Sequence, residues 1–292
     1  MLFEIMKISI NGMGYLGIAY SSWLASLKHH DIICYEKDLI KIQSIKLEDN
    51  LYNLWNESIS NKYILLTNDY KKLANSDVIL FTYDTPIDSE GNTDLQYISN
   101  KINELVSNIK HNIPIIICSQ IPVGTIAKFE SLYPKNHFIY IPENVRVGKA
   151  LDYLFSLDRI ILGTRHDYDE SLIKQILTDV NANVPIIKMS PESAEMTKHT
   201  INSFLATNIA FINEMAKICK YVDADINDVV KGIRSEYRIG SKLPLLPGGP
   251  FRSGHLERDL GYLCEISYKN NLSSDLLRSI TISNNKVKNE CT

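Results

Sequence analysis

The stretch "MKISINGMGYLGIAYSSWLASLKHHDIICYE", residues 6–36, decides the fold. It opens with a short apolar run, MKISING (6–12), and passes through Gly12, Gly14 and Gly17 in G-x-G-x-x-G spacing. A helical segment, YLGIAYSSWLASLK (15–28), leads to a second apolar run, DIICYE (31–36). Apolar runs of this length read as buried strands. Strand, glycine turn, helix and strand in that order make the βαβ unit of a dinucleotide-binding domain. Gly12 makes the tight turn, Gly14 lets a pyrophosphate approach the backbone, and Gly17 allows close helix–strand packing. The helix N-terminus then turns its positive dipole end toward the phosphates. Tyr15 and Leu16, in its first turn, join the three glycines as cofactor-binding candidates. Glu36 ends the second strand nineteen residues beyond Gly17. A carboxylate there accepts hydrogen bonds from the adenosine ribose and repels a 2′-phosphate, so the expected cofactor is NAD rather than NADP.

The pattern continues outward. DVILFTY (77–83), IPIIICSQ (113–120), HFIYIPE (137–143) and RIILG (159–163) also read as buried strands, with a helix expected over 95–110. Strands alternating with helices predict an α/β, Rossmann-type, doubly wound parallel sheet. After about residue 190 the character changes. SPESAEMTKHTINSFLATNIAFINEMAKICKYV (190–222) contains no glycine, and its one proline, Pro191, stands at the start. Ser190 suits the cap and Pro191 the first turn, predicting one helix of about 30 residues. A shorter helix is expected over 225–233. The sheet domain is therefore assigned to 1–188 and a smaller all-helical domain, with one long helix, to 189–292. A helix this long seldom buries its apolar face within so small a domain, which predicts a homodimer formed through it.

Composition narrows the function classes. The chain has 292 residues and a net charge of −3, so no global basic field favours nucleic acid or a membrane surface. Its five cysteines are scattered, none in a CxxC pair, which predicts reduced thiols in a cytoplasmic protein and no metal site. No signal peptide is expected at the N-terminus, and no apolar run approaches the roughly 20 residues of a membrane span. A small molecule is the expected partner.

Further motifs follow in order along the chain: GMGYLG, DTPIDSEGNTDLQYI (84–98), IPVGT (121–125), IPENVRVGKALDY (141–153), AEMTKHTINSFLATNIAFINEMAKIC (194–219), YRIG (237–240), and LPGGPFRSGHLERD (246–259). Together they resemble the UDP-glucose/GDP-mannose dehydrogenase family. The resemblance implies oxidation of the C6 alcohol of a nucleotide sugar to a carboxylate with two NAD, at a site flanked by a Rossmann domain and a long-helix domain. It implies cofactor contacts from Thr85, Pro86 and Gln120. It carries the family's active-site lysine and asparagine onto Lys198 and Asn202, whose i, i+4 spacing puts both on one helix face. Asp259 matches the aspartate that, with the lysine, holds a water accepting the alcohol proton. Glu143 matches the glutamate after the family's proline, and Arg238 an arginine that reaches a neighbouring subunit's substrate. Phe251, Arg252 and Arg258 fall in the substrate loop.

The chain also departs from the family pattern. His255 stands where the family has its nucleophilic cysteine, and Arg258 where a lysine follows. Gln120 replaces a threonine, Val147 a glutamate, and Asp84 a glycine beside the cofactor. The family's third, nucleotide-binding domain is expected to be missing, because the sequence stops soon after the loop. An aldehyde gives up a second hydride only after a nucleophile has added to it, and the resulting thioester must then be hydrolysed. These substitutions affect that second half-reaction, while Lys198, Asn202 and Asp259 serve the first. A single two-electron step between alcohol and carbonyl is therefore expected, with His255 as general base or hydrogen-bond donor. The alternatives are a 3-hydroxyacid-type dehydrogenase, an epimerase using NAD catalytically, and an inactive NAD-binding paralogue.

Overall fold

The structure is a computed structural model describing residues 5–28, 30–86, 93–142, 145–165, 171, 175–176, 184–239, 243–251 and 254–290. Among them eight strands form one sheet: β1 (Lys7–Asn11), β2 (Asp31–Tyr35), β3 (Ile64–Thr67), β4 (Val78–Phe81), β5 (Ile115–Ile117), β6 (Phe138–Tyr140), β7 (Ile160–Gly163) and β8 (Ile186–Met189). The described helices are α1 (Tyr15–Ala25), α2 (Leu39–Ile42), α3 (Asp49–Ser60), α4 (Leu95–Val106), α5 (Thr125–Leu132), α6 (Ala150–Phe155), α7 (Pro191–Tyr221), α8 (Ile226–Ser235), α9 (Gly254–Lys269) and α10 (Asp275–Glu290). The chain divides into two compact units, Met1–Pro86 with Asp94–Met196, and Ile87–Thr93 with Thr197–Thr292.

Strand order in the first unit is β3-β2-β1-β4-β5-β6-β7-β8. The chain winds outward from β1 to β3, returns to the far side of β1 as β4, and winds outward again. The order therefore reverses between β1 and β4, and in open parallel sheets ligands bind at the carboxyl ends of the strands beside that switch. The loops leaving those two ends are Gly12–Gly14 and Thr82–Pro86.

One strand pairing departs from the expected parallel sheet. β7 runs antiparallel to β6, meeting it at Tyr140 and Gly163, while the other pairings are parallel. A run buried on both faces looks the same in either direction, so its hydrophobicity carries no information about polarity. The helix expected over 15–28 is α1, and it is buried from Leu16 through Ala25. It lies against β1 and β2 on one side and against α3 and α6 on the other, so no face is left for water. The edge strands β3 and β8 went unread. Each is a four-residue run that keeps an exposed member, Leu65 and Ile187, and so lacks the uniform burial that marks a central strand.

The helix α7 spans 31 residues, and the Ser190 hydroxyl accepts the Ser193 amide at 3.2 Å to cap its start. Ala206 and Ala210 of α7 pack with Phe251, Leu260 of α9 and Ile280 of α10. Asn284 of α10 takes both backbone groups of Phe251, accepting its amide at 2.9 Å and donating to its carbonyl at 3.1 Å. Asn213 of α7 donates to the Gly249 carbonyl at 2.8 Å. These bonds fix the glycine-rich loop that launches α9 and so set where that helix begins.

Candidate active site

The candidate cofactor-binding residues belong to the first unit. Gly12 has φ +106°, in the region glycine enters without penalty, and its carbonyl accepts the Thr82 hydroxyl at 2.6 Å. Gly14 caps α1 with extended backbone and no side-chain cap, so the first-turn amides are left for an incoming anion. A Cβ placed on Gly17 would lie 2.1 Å from the Gly12 carbonyl oxygen. Helix and turn touch there, and only glycine permits it. Half-buried Glu36 accepts the Met13 amide at 3.1 Å, which ties the acidic residue to the glycine turn. Turn, bare helix end and carboxylate fit a dinucleotide.

Other cofactor candidates have structural duties. The Tyr15 hydroxyl donates to Glu48 at 2.7 Å and accepts the Gly148 amide at 2.9 Å. Burial, followed by that carboxylate, pushes its phenol up to about 12. Leu16 is core. The Thr85 hydroxyl donates to the Gln120 carbonyl and ties together the loops after β4 and β5, while Pro86 accepts the Asp94 amide at 2.9 Å.

The candidate acid–base residues belong to the second unit. Lys198 and Asn202 lie one turn apart on α7, with 3% and 7% of their surface exposed, and Asp259 on α9 is wholly buried. The Asn202 side-chain amide donates to Asp259 Oδ2. His199, also wholly buried, meets Asp259 Oδ1 through Nδ1 at 2.9 Å. Asp259 Oδ1 accepts from His199 in the tautomer that carries its proton on Nδ1. The His199 ring stands edge-on to Tyr262, 5.1 Å between centroids, and the Tyr262 hydroxyl donates to Thr93 Oγ1 at 2.7 Å. Burial raises the Tyr262 phenol pKa.

His255 is exposed in the first turn of α9, and its Nδ1 lies 2.9 Å from a guanidinium nitrogen of buried Arg258. Arginine only donates, so His255 Nδ1 must accept. The imidazole is therefore neutral, with its proton on Nε2. In that tautomer Nε2 can donate a hydrogen bond. Phe251 is buried in the core described above. Arg238 is exposed and pairs with Glu236 at 2.8 Å, which raises its pKa. Glu143 and Arg252 lie outside the described residues.

The sequence reading passed over two residues. His199 shares its helix face with Asn202 at i, i+3, and that spacing was the available signal. Wholly buried Glu195 accepts the Gly124 amide at 2.6 Å and the Ile126 amide at 2.9 Å, capping α5 after the IPVGT turn.

A Rossmann sheet with this glycine cradle and an acidic residue at the end of β2 defines an NAD-binding protein of the dehydrogenase class. Residues 6–181 match the NAD binding domain of the UDP-glucose/GDP-mannose dehydrogenase family, and residues 192–286 match its central domain. The chain belongs to that family. It is 30% identical to the UDP-glucose 6-dehydrogenase of Rickettsia bellii over 294 residues, covering 96% of this chain and 67% of that protein. Among solved structures it resembles a UDP-glucose dehydrogenase from Pyrobaculum islandicum, with TM-score 0.85, 22% identity, and coverage of 98% of this chain and 69% of that one. It also resembles a GDP-mannose dehydrogenase from Pseudomonas aeruginosa, with TM-score 0.72, 25% identity, and coverage of 97% and 69%. The chain spans about two thirds of the length of the curated relatives it matches.

Proposed function

We propose that the chain is an NAD-dependent oxidoreductase acting on a CH–OH group of a nucleotide sugar in one two-electron step. The reading extends to a cytoplasmic setting and to nucleotide-sugar supply for surface polysaccharide. One observation carries the single step: His255, at the position of the family's thiol, is held as a neutral imidazole by Arg258. The acid–base cluster around Asp259 is meanwhile complete.

In this reading Asp259, ionised and oriented by His199 and Asn202, is where the hydroxyl proton is received. The Lys198 ammonium stabilises the negative charge that develops on the substrate oxygen, and the His255 Nε2–H donates to that oxygen. NAD, when bound, supplies the hydride acceptor. The products are a carbonyl, NADH and one proton.

A second oxidation requires a covalent adduct, and no described thiol is suited to form it. Burial pushes Cys34 up to about 12, and Cys118 and Cys219 are buried too. Cys264 sits nine residues past His255 on α9, roughly 13 Å along the axis.

A screen of UDP-, GDP-, CDP- and dTDP-sugars and small hydroxyacids with NAD, read by NADH absorbance and product mass, tests this. One NADH per substrate and loss of two hydrogens are expected. Two NADH and a carboxylate would overturn the single step. Racemised product without net NADH would indicate an epimerase, and preference for a hydroxyacid would remove the nucleotide sugar. In the same assay His255→Cys should still make no acid, because Val147 and Gln120 leave a thioester without its hydrolytic surroundings.

Homodimerisation through α7 is part of the reading. Phe204, Phe211 and Ile218 are exposed at seven-residue intervals, a stripe about two turns per step along one helix face. Phe211→Glu should convert the dimer to monomer in sedimentation at micromolar concentration. A wild-type monomer under those conditions would remove this part of the proposal.

A further inference from the structure

We infer that Glu48 is a positioning residue for the cofactor: it clamps the Tyr15 side chain at the start of α1 and so holds the first-turn amides in place for the pyrophosphate. The inference rests on reading the glycine turn as the phosphate cradle. A helix N-terminus that binds an anion faces a conflict between stability and binding. Its first amides lack intrahelical partners, and a side-chain cap normally satisfies one of them and steadies the turn. At α1 such a cap would occupy an amide that the phosphates need. Gly14 supplies no side-chain cap, so the first turn has to be steadied from outside the helix.

Glu48 does this. Tyr15 is the first residue of α1, and its hydroxyl lies 2.7 and 2.8 Å from the two carboxylate oxygens of Glu48. The same hydroxyl accepts the Gly148 amide at 2.9 Å, and Glu48 Oε1 accepts the Ala150 amide at 3.1 Å. Ala150 opens α6. Glu48 itself stands at the N-cap position of α3, where its side chain makes no cap bond. One carboxylate therefore joins the starts of three helices, α1, α3 and α6. The dipoles of helix N-termini favour an anion there. Burial, followed by the hydrogen bond to Glu48, holds the Tyr15 phenol at about 12, so the hydroxyl keeps its proton through the neutral range.

Both sides of the clamp are anchored. Leu51 and Trp55 of α3, with Leu151 and Leu154 of α6, share one apolar core with Ile18 and Trp23 of α1. Gly148 has φ +86°, and beside it the Lys149 amide donates to the Arg146 carbonyl at 3.0 Å, closing a turn. The phenol is thus gripped between a packed helix start and a closed turn. Because the grip acts on the side chain of Tyr15, it steadies the first turn of α1 while taking none of its amides.

Calorimetric titration of NAD into wild type, Tyr15→Phe, Glu48→Ala and Glu48→Gln tests this, with thermal unfolding measured alongside. Tyr15→Phe keeps the ring and its packing but removes the hydroxyl that Glu48 and Gly148 hold. It and Glu48→Ala should each bind NAD about tenfold more weakly, the worth of one hydrogen bond. Glu48→Gln keeps a side-chain carbonyl that accepts from Tyr15, and should stay within about threefold of wild type. That rescue separates a clamp from a requirement for the charge. If Glu48→Ala fails to fold, Tyr15→Phe and Glu48→Gln decide the matter. Wild-type affinity in Tyr15→Phe, or a tenfold loss in Glu48→Gln, overturns the inference. A wild-type protein that binds no NAD removes the cofactor reading itself, and the inference with it.

Discussion

Lys198→Ala is expected to lower turnover by about a thousandfold or more, while NAD affinity stays within a few-fold of wild type. Lys198 is 3% exposed on α7, one turn from Asn202, whose side chain is bound to Asp259. An ammonium shielded from water stabilises a developing alkoxide far better than the same group in water. Removing it leaves the substrate oxygen to water or to His255, a neutral donor. Lys198→Arg keeps the charge but spreads it over a planar fork and should recover only part of the rate. The measurement is kcat and kcat/KM with the nucleotide sugar found in the screen, with thermal unfolding and NAD titration as controls. Turnover within tenfold of wild type would remove Lys198 from the chemistry. The loss should appear in kcat rather than KM alone, since the interaction strengthens as the oxygen becomes anionic.

What the sequence revealed, and what it concealed, follows from the range of each interaction. The glycine turn was legible because its constraints act within six residues: Gly12 needs its positive φ and Gly17 its contact with the Gly12 carbonyl, whatever else the fold does. The long helix was legible from its cap, its first-turn proline and its unbroken length. Lys198 and Asn202 shared a face by spacing alone. The partnership of His199 with Asp259 spans 60 residues and two helices, and no local pattern announces it. The same holds for Glu195, whose buried carboxylate caps a helix about seventy positions earlier. The tautomer of His255 depended on Arg258 being turned toward it, which the i, i+3 spacing permits but does not require. Strand direction at β7 was invisible because hydrophobicity has no sign along the chain.

Gly17→Ala is expected to abolish NAD binding and to lower the unfolding temperature by about 5–10 °C, from an overpacking cost of about 3 kcal/mol in a chain of this size. The added methyl would sit 2.1 Å from the Gly12 carbonyl oxygen and 3.0 Å from Thr82 Oγ1. Neither neighbour is free to move. The Gly12 carbonyl accepts the Thr82 hydroxyl at 2.6 Å, the Gly12 amide donates to the Tyr35 carbonyl at 3.2 Å, and α1 is buried from Leu16 onward. The clash must therefore push the start of α1 away from β1, widening the cradle whose amides face the phosphates. A matched control is Gly261→Ala, on the exposed side of α9, where a Cβ finds nothing within 4 Å among the described residues. Helix propensity makes that change stabilising by up to about 1 kcal/mol. The two substitutions add the same methyl group and should move stability in opposite directions, with only Gly17→Ala losing the cofactor. If Gly17→Ala still binds NAD with near-wild-type affinity, the close approach of helix and turn does not shape the phosphate site.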